Sequence, residues 1–190
     1  MSTETASLFF ALLALAAVLG STVTAGVLVA ARRSGPDGAL APWRDDLRRA
    51  ALPLAWAVAL VTTLGSLYYS EIAHFTPCKL CWFQRIAVYP LAVLLGIATF
   101  RRDAGVRIYV IVQCALGAVV AAYHSYLQAY PPEGGSSFCT ADAPCTARFV
   151  WEFGFVSLPL MALVAFVSII TLLVASGPGR DLGTSGATDE

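Results

Sequence analysis

The chain alternates between long apolar stretches and shorter polar segments. The apolar stretches cover residues 8–31, 50–69, 82–100, 108–129 and 151–175. Each is close to the length of about 20 residues that an α-helix needs to cross the hydrocarbon layer of a bilayer. Most of the charged, glycine and proline residues lie between them, which is typical of connecting segments. The pattern therefore predicts an all-α integral membrane protein with five transmembrane helices.

The composition agrees with this prediction. Hydrophobic residues make up 58% of the chain and charged residues only 13%, and the mean hydropathy is +0.72. Soluble domains contain about 25% charged residues, so these values indicate a membrane protein. The net charge is zero, which gives no reason to expect a nucleic-acid partner.

The first apolar stretch could be either a cleaved signal peptide or a retained helix. A signal peptide begins with a positively charged region. Here the residues before position 8 carry no positive charge, whereas Arg32 and Arg33 follow the stretch. We therefore expect residues 8–31 to form a retained transmembrane helix.

The distribution of basic residues predicts the orientation of the helices. In a five-span arrangement, nine basic residues fall on one side of the membrane and three on the other. The larger group is Arg32, Arg33, Arg44, Arg48, Arg49, Arg101, Arg102, Arg107 and Arg180, and the smaller is Lys79, Arg85 and Arg148. Because Lys and Arg favour the cytoplasmic side, we expect the N-terminus outside and the C-terminus inside. Two close pairs of cysteines then lie on the extracytoplasmic side.

These two pairs are candidates for thiol chemistry. Cys78 and Cys81 stand at the start of the third apolar stretch. If that stretch is a helix, its unpaired N–H groups and the positive end of its dipole favour thiolate over thiol. Cys139 and Cys145 lie in the polar segment before the last stretch. Thiol–disulfide exchange transfers electrons between cysteine pairs, so two pairs on one face can form a relay.

Other interpretations of the cysteines are open at this point. The four thiols could bind zinc, although five residues separate Cys139 from Cys145 and the usual spacing is about two to four. Either pair could instead be a structural disulfide, because disulfides persist in oxidising compartments. Cys114 stands alone inside the fourth stretch, and we expect it to be a buried packing residue.

A few polar residues inside the apolar stretches are candidates for binding a ligand. Arg85 lies one helical turn after Cys81 and on the same face, where a permanent cation can stabilise a thiolate or an electron-rich ligand. Alternatively, it extends to the membrane interface. His124 and Gln128 share one face of the fourth helix near its outer end, and could hydrogen-bond a ligand carbonyl. Polar residues in such a pattern also join helices to one another.

Four segments are specific in combination: PCKLCWFQR (residues 77–85), YHSYLQ (123–128), the loop that holds Cys139 and Cys145, and WEFGF (151–155) followed by Pro159. Together they resemble the DsbB/BdbC family of membrane thiol–quinone oxidoreductases. The resemblance implies a four-helix transmembrane bundle. We expect an N-terminal helix with a basic cytoplasmic linker at 1–49, a catalytic domain at 50–176, and a polar cytoplasmic tail at 177–190.

The resemblance also implies an activity. A protein of this family reoxidises an extracytoplasmic DsbA-like, thioredoxin-fold donor and passes two electrons to a membrane quinone, either a menaquinone or a ubiquinone. It thereby supports disulfide formation in exported proteins. By motif position, the donor would attack Cys139, and the released Cys145 would attack Cys78. Cys81 would be the thiolate beside the quinone.

The same resemblance assigns the quinone site to three residues and implies no metal. Arg85 would stabilise the reduced or charged state, with His124 and Gln128 near the quinone oxygens. The first helix and the short loop between the paired cysteines depart from the best-known members. The alternative enzyme is of the vitamin K epoxide reductase type, which also has a CxxC pair and a loop pair, but in the opposite chain order. The alternative from another class is a non-catalytic membrane protein with structural disulfides or a four-thiolate zinc site.

Overall fold

The computed structural model of the protein describes residues 3–35, 38–132, 139 and 143–177. Its helices are α1 (Thr3–Ser34), α2 (Ala41–Leu67, continued by the π-helical turn Tyr68–Ile72), α3 (Lys79–Arg101), α4 (Arg107–Ala129, preceded by the 3₁₀ turn Ala104–Val106) and α5 (Leu158–Ala175). Each is long and apolar enough to cross a membrane. Within these residues the only β-type pairing is one isolated bridge. The prediction of an all-α membrane protein with five spans is confirmed.

The start of α2 differs from its predicted position. The helix begins at Ala41, nine residues before position 50, with Pro42 in its first turn. Proline suits a helix start because its missing N–H has no partner there in any case. Arg48 pairs with Asp45 one turn earlier, at 3.6 Å, an arrangement that modestly stabilises a helix. The supposed polar connection is therefore largely the first turns of α2.

The start of α5 also differs, by seven residues. Residues 151–157 form a tight turn in which the N–H groups of Glu152 and Val156 each donate to the other residue's carbonyl, at 2.9 and 2.8 Å. Phe153 and Gly154 between them have positive φ angles of 52° and 78°. Left-handed backbone cannot belong to a right-handed helix. The prediction that the aromatic residues of this stretch belong to the last span is therefore wrong.

Helices α2 to α5 form the bundle around one apolar core. The residues that fill it are Ala55, Ala59, Ala87, Val88, Leu91, Leu95, Val110, Cys114, Ala121, Phe166, Ile169 and Leu173. The ring of Phe166 lies against Gly117, where a Cβ would come within 2.5 Å of the ring. Glycine therefore allows α4 and α5 to approach closely. Cys114 is completely buried in this core, as expected for a packing residue.

Helix α1 packs on the outside of this bundle, mainly along α5 and also against α2. The Ser21 hydroxyl donates to Ser168 Oγ at 2.9 Å. Near the other end of α1, the buried Tyr69 hydroxyl donates to Ser7 Oγ at 3.2 Å. Hydrogen bonds between helices stabilise such packing where water is absent. The first helix is thus joined to the bundle at two levels.

The two cysteine pairs lie at one end of the bundle. The end of α2, the start of α3, the end of α4 and the segment before α5 meet there. Phe75 and Phe149 stack across this end, with ring centroids 4.8 Å apart. The arginine-rich turn between α3 and α4 is at the opposite end of those helices. The tail after residue 177, including Arg180, lies outside the described residues.

Candidate active site

Cys78 and Cys81 occupy the first turn of α3. Cys78 is the N-cap residue, and its Sγ accepts a hydrogen bond from the backbone N–H of Cys81 at 3.4 Å. The two Sγ atoms are 3.1 Å apart, and both cysteines are free. Cys78 is only 3% exposed, whereas Cys81 is half-buried. The pair therefore has a buried member and a more accessible one.

Cys139 and Cys145 form a disulfide. Cys145 is 1% exposed, whereas Cys139 is half-buried. Cys78 and Cys145 belong to one buried cluster with Leu80 and Leu127, and Cys81 and Cys139 pack against it. The structure thus brings the four predicted cysteines together, with one member of each pair buried at the centre.

His124 lies between the two pairs and is 2% exposed. Its Nδ1 is 3.0 Å from the side-chain amide nitrogen of Gln84, which donates to it. Nε2 then carries the proton and donates to the Cys145 carbonyl at 3.0 Å. The same nitrogen is 3.7 Å from Cys78 Sγ. Because Gln84 fixes the tautomer, the ring presents an N–H to both buried cysteines.

The pKa of the Cys78 thiol is lowered from its ordinary value of 9.0 to about 4. The hydrogen bond with the Cys81 thiol is the largest cause, and the contact with His124 acts in the same direction. Burial opposes both. This lowering favours the thiolate form of Cys78 when the pair is open. The backbone N–H of Cys81, at the start of the helix, also lowers this pKa, so the negative charge of the open pair is favoured on Cys78.

Gln128 is buried one turn after His124 and contacts the segment that follows the disulfide. Its side-chain amide donates to the Ala147 carbonyl at 2.7 Å. Its own backbone carbonyl accepts hydrogen bonds from two guanidinium nitrogens of Arg148. Arg148 also lies over the Trp151 ring, 4.1 Å from the centroid. These contacts attach the disulfide loop to the end of α4.

A cavity of about 330 Å³ lies on the other side of the Cys78–Cys81 pair. Cys81 and Arg85 line one end of it. Arg85 donates to Ser66 of α2, from Nε to the hydroxyl at 3.1 Å and from an Nη to the backbone carbonyl at 3.2 Å. No carboxylate pairs with Arg85 among the described residues. A cation without a counter-ion therefore lies at the border of an apolar cavity.

Most of the cavity wall is apolar and comes from several helices. Its apolar lining includes Phe10, Leu13, Ala14, Ala17, Ala57, Val58, Val61, Val88, Phe149, Leu158, Ala165 and Phe166. His124 and Gln128 are not among the lining residues. The structure therefore brings Arg85 and Cys81 together at the cavity, and separates them from His124 and Gln128 on the disulfide side.

Sequence reasoning did not assign a role to Gln84, Ser66 or Arg148. Gln84 is polar within an apolar run and lies three residues after Cys81, so its helical register could have identified it. Ser66 and Arg148 carry no such signal, because their partners come from other helices. Only the packing of α2 against α3, and of the loop against α4, reveals their contacts.

Cys78, Cys81 and His124 also form a group of three metal-type ligands. Their ligand atoms lie within 4.8 Å of one another, the only such group found among the described residues. The four-thiolate zinc alternative needs Cys139 and Cys145 as well, and the disulfide engages both of these sulfurs. The geometry therefore favours exchange between cysteine pairs over a four-thiolate metal centre.

A disulfide packed against a CxxC pair, within a bundle of membrane-spanning helices, defines a membrane thiol–disulfide oxidoreductase. The sequence model of the family described as "Disulfide bond formation protein DsbB" matches residues 48–176. The chain belongs to this family, and it is a disulfide-forming membrane oxidoreductase. This sets aside the non-catalytic and vitamin K epoxide reductase alternatives. Helix α1 lies outside the matched segment.

Curated relatives agree with the family assignment. Disulfide bond formation protein C of Bacillus subtilis is 44% identical over 119 residues, covering 63% of this chain and 86% of the relative. A probable disulfide formation protein of Deinococcus radiodurans is 44% identical over 135 residues, covering 66% and 88%. Probable disulfide formation protein C 1 of Bacillus anthracis is 38% identical over 126 residues, covering 66% and 91%. No solved structure matches this chain.

Proposed function

We propose that this protein takes electrons from an extracytoplasmic thioredoxin-fold donor and passes them to a membrane quinone. The observation that carries the proposal is the order of exposure along the four cysteines. Cys139 and Cys81 are half-buried, whereas Cys145 and Cys78 between them are almost fully buried. A relay needs this order, because only its first and last sulfurs must meet other molecules.

In the first step, a thiolate of the donor attacks Cys139, the accessible sulfur of the Cys139–Cys145 disulfide. A donor–Cys139 disulfide forms, and Cys145 leaves as a thiolate with the electron pair of the broken bond. The contacts of Gln128 and Arg148 with the adjacent segment keep Cys145 against α4. The leaving sulfur therefore stays near Cys78.

In the second step, the Cys145 thiolate attacks Cys78 of the oxidised Cys78–Cys81 pair, and Cys81 leaves as a thiolate. The donor's second thiolate then attacks the donor sulfur bonded to Cys139, which releases an oxidised donor and a Cys139 thiolate. Cys139 attacks Cys145, which restores the first disulfide and releases Cys78 as a thiolate. His124 Nε2, 3.7 Å from Cys78 Sγ, stabilises that charge.

The cavity suits a quinone in shape and polarity. Cys81, Gln84 and Arg85 border one end, and apolar side chains line most of the rest. A bound quinone would supply a two-electron, two-proton acceptor at this polar end. Cys81 would face its ring, and the Arg85 guanidinium, held by Ser66, would stabilise negative charge there. We assign His124 to the cysteine relay, because its contacts are with Cys78 and Cys145.

We infer the orientation of the molecule in the membrane from the distribution of its basic residues. Nine basic residues fall at one side and three at the other, which favours the three-residue side, with both cysteine pairs, as the extracytoplasmic one. An oxidising compartment on that side suits disulfide formation. The orientation is tested by reducing the disulfide in intact cells and then labelling the thiols with a membrane-impermeant maleimide. Protection of Cys139 in intact cells, with reaction only after lysis, would reverse it.

The function itself is tested by quinone reduction with purified protein in detergent or nanodiscs. The assay supplies a reduced thioredoxin-fold donor and, separately, a menaquinone and a ubiquinone. We expect donor-dependent loss of at least one quinone, and no loss with Cys78→Ala, because that variant lacks the sulfur between Cys145 and Cys81. If folded wild-type protein oxidises the donor but reduces neither quinone, the quinone assignment is wrong. If it does not oxidise the donor, the donor assignment is wrong.

A further inference from the structure

We propose that α1 is a wall of the quinone cavity, and that Ala14 and Ala17 provide the space for the isoprenoid tail. This inference rests on the proposed function. Phe10, Leu13, Ala14 and Ala17 of α1 all line the cavity that Cys81 borders. Their spacing of three or four residues puts them on one face of the helix. Helix α1 lies outside the segment that matches the family, so the family match does not cover this part of the cavity.

The shape of the cavity agrees with a molecule that has a polar head and an apolar tail. Its polar end lies at the start of α3, where Cys81 is found. Ala17 is seven residues beyond Phe10, and therefore about 10 Å further along the α1 axis. On α2 the lining runs from Tyr69 back to Ala57, about 18 Å along that axis. The cavity thus extends from the membrane boundary well into the hydrocarbon layer, which is about 30 Å thick.

Helix α1 is held firmly enough to act as a wall. The Tyr69–Ser7 hydrogen bond joins it to the end of α2, and Ser21 joins it to α5. Between these bonds, the Phe10 ring lies over Gly65, where a Cβ would be 3.0 Å from the ring. The small residue on α2 allows this close contact. The position of α1 is therefore fixed on both sides of the cavity.

The size of the side chains on α1 limits what can enter. At about 330 Å³, the cavity is at the lower end of the range for ligand sites. It holds a ring and the first part of a tail, and the remainder of a long tail must leave between helices. Ala14 and Ala17 place only methyl groups beside this path. We infer that larger residues there would obstruct the tail more than the ring.

The test compares Ala14→Leu and Ala17→Leu with Ala16→Leu. Ala16 is on the same helix but is exposed and is not part of the cavity lining, so it is a matched control. Each variant is assayed with a long-tailed quinone and with a tailless quinone of the same ring type. Binding of the long-tailed quinone is also measured without turnover, by quenching of tryptophan fluorescence in a Cys81→Ala background. Thermal unfolding checks that each protein is folded.

We expect Ala14→Leu and Ala17→Leu to raise the KM for the long-tailed quinone, relative to the KM for the tailless quinone, about tenfold. The fluorescence Kd for the tailed quinone should rise by a similar factor. Ala16→Leu should leave both at wild-type values. If all three folded variants give the wild-type ratio and Kd, the tail does not pass α1 and the inference is wrong. If wild-type protein reduces neither quinone and binds neither, the proposed function fails instead.

Discussion

Gln84 contacts both sides of the Cys78–Cys81 pair, but the two sides otherwise differ in most physical respects. On the disulfide side, Cys78 is buried against His124, whose ring is held by Gln84 and by the Cys145 carbonyl. On the cavity side, Cys81 faces a mostly apolar space that has one cation at its border. The first side is filled with hydrogen-bonded protein groups, and the second is open. One pair of cysteines therefore meets two environments suited to different partners.

The difference separates two kinds of chemistry. Exchange between protein sulfurs needs close approach and a fixed geometry, and buried hydrogen-bonded networks provide both. A diffusible membrane molecule needs space and a few polar groups that orient it. Changes on one side should therefore affect one half of the reaction, and the following predictions test that separation.

Cys81→Ser should produce the largest effect. The disulfide side would remain intact, so the variant should still oxidise about one equivalent of donor through Cys139 and Cys145. Multiple turnover should fall by at least about a thousandfold, since the sulfur at the cavity is lost. Donor oxidation is followed by thiol alkylation and mass spectrometry, first in a single turnover and then in the steady state. Normal steady-state turnover would refute the role of Cys81, and with it the proposed separation between the disulfide side and the cavity side.

His124→Ala should slow transfer between the two pairs by about a hundredfold, in the range of effects for a positioned acid–base group. Rapid quenching of single-turnover reactions would measure the accumulation of the donor–Cys139 disulfide and the appearance of reduced Cys78. The KM for quinone should stay at the wild-type value, because the ring contacts the cysteines and does not line the cavity. A raised KM for quinone, with a normal rate of transfer between the cysteine pairs, would indicate that His124 belongs to the quinone site instead.

Arg85→Ala should affect the cavity side of the cysteine pair, and therefore the use of quinone. Loss of a charged hydrogen-bonding group costs about 1.5–3 kcal/mol, so the KM for quinone should rise about ten- to a hundredfold. Single-turnover oxidation of the donor should be unchanged. Arg85→Lys is the matched variant, and it should recover part of the loss because it keeps the charge without the planar fork. Unchanged quinone KM and kcat in Arg85→Ala would indicate that the side chain only anchors α3 to α2.

The pH at which the Cys78 thiol ionises tests the environment on the disulfide side. Because its pKa is lowered to about 4, Cys78 should remain a thiolate as the pH falls from 8 to about 5, and should become protonated near pH 4. Absorbance at 240 nm measures this in a Cys139→Ser, Cys145→Ser variant with the remaining pair reduced. His124→Ala in that background should move the midpoint to higher pH, because a stabilising contact is lost. A thiolate signal that appears only above pH 8 would contradict the assignment.

Cys114→Ala should have the smallest effect and serves as a control for loss of a cysteine. The residue is buried in the core, away from both sides of the pair. Removal of its sulfur should lower the free energy of unfolding by about 1 kcal/mol and leave turnover within about twofold. Steady-state assays and thermal unfolding measure the two quantities. A loss of turnover comparable to that of Cys81→Ser would mean that the lone thiol takes part in the reaction.

Much of the architecture could be predicted because bilayer thickness constrains a sequence directly. The number of spans, their approximate limits and the two cysteine pairs are readable from runs of apolar residues and from spacing. The predicted starts of α2 and α5 are wrong for a physical reason. Hydrophobicity does not distinguish a helix from a turn rich in aromatic residues, and it does not detect a helix that begins in polar sequence.

That Cys81 and Arg85 share a face of α3 can be read from their spacing, because helical periodicity orders residues within one element. The same argument places His124 and Gln128 on one face of α4. What those faces contact becomes known only from the way the helices pack. Arg85 meets Ser66 and the cavity, and His124 meets Cys78 and the disulfide. Local periodicity cannot specify how helices rotate against each other, since that depends on packing between residues distant in the chain.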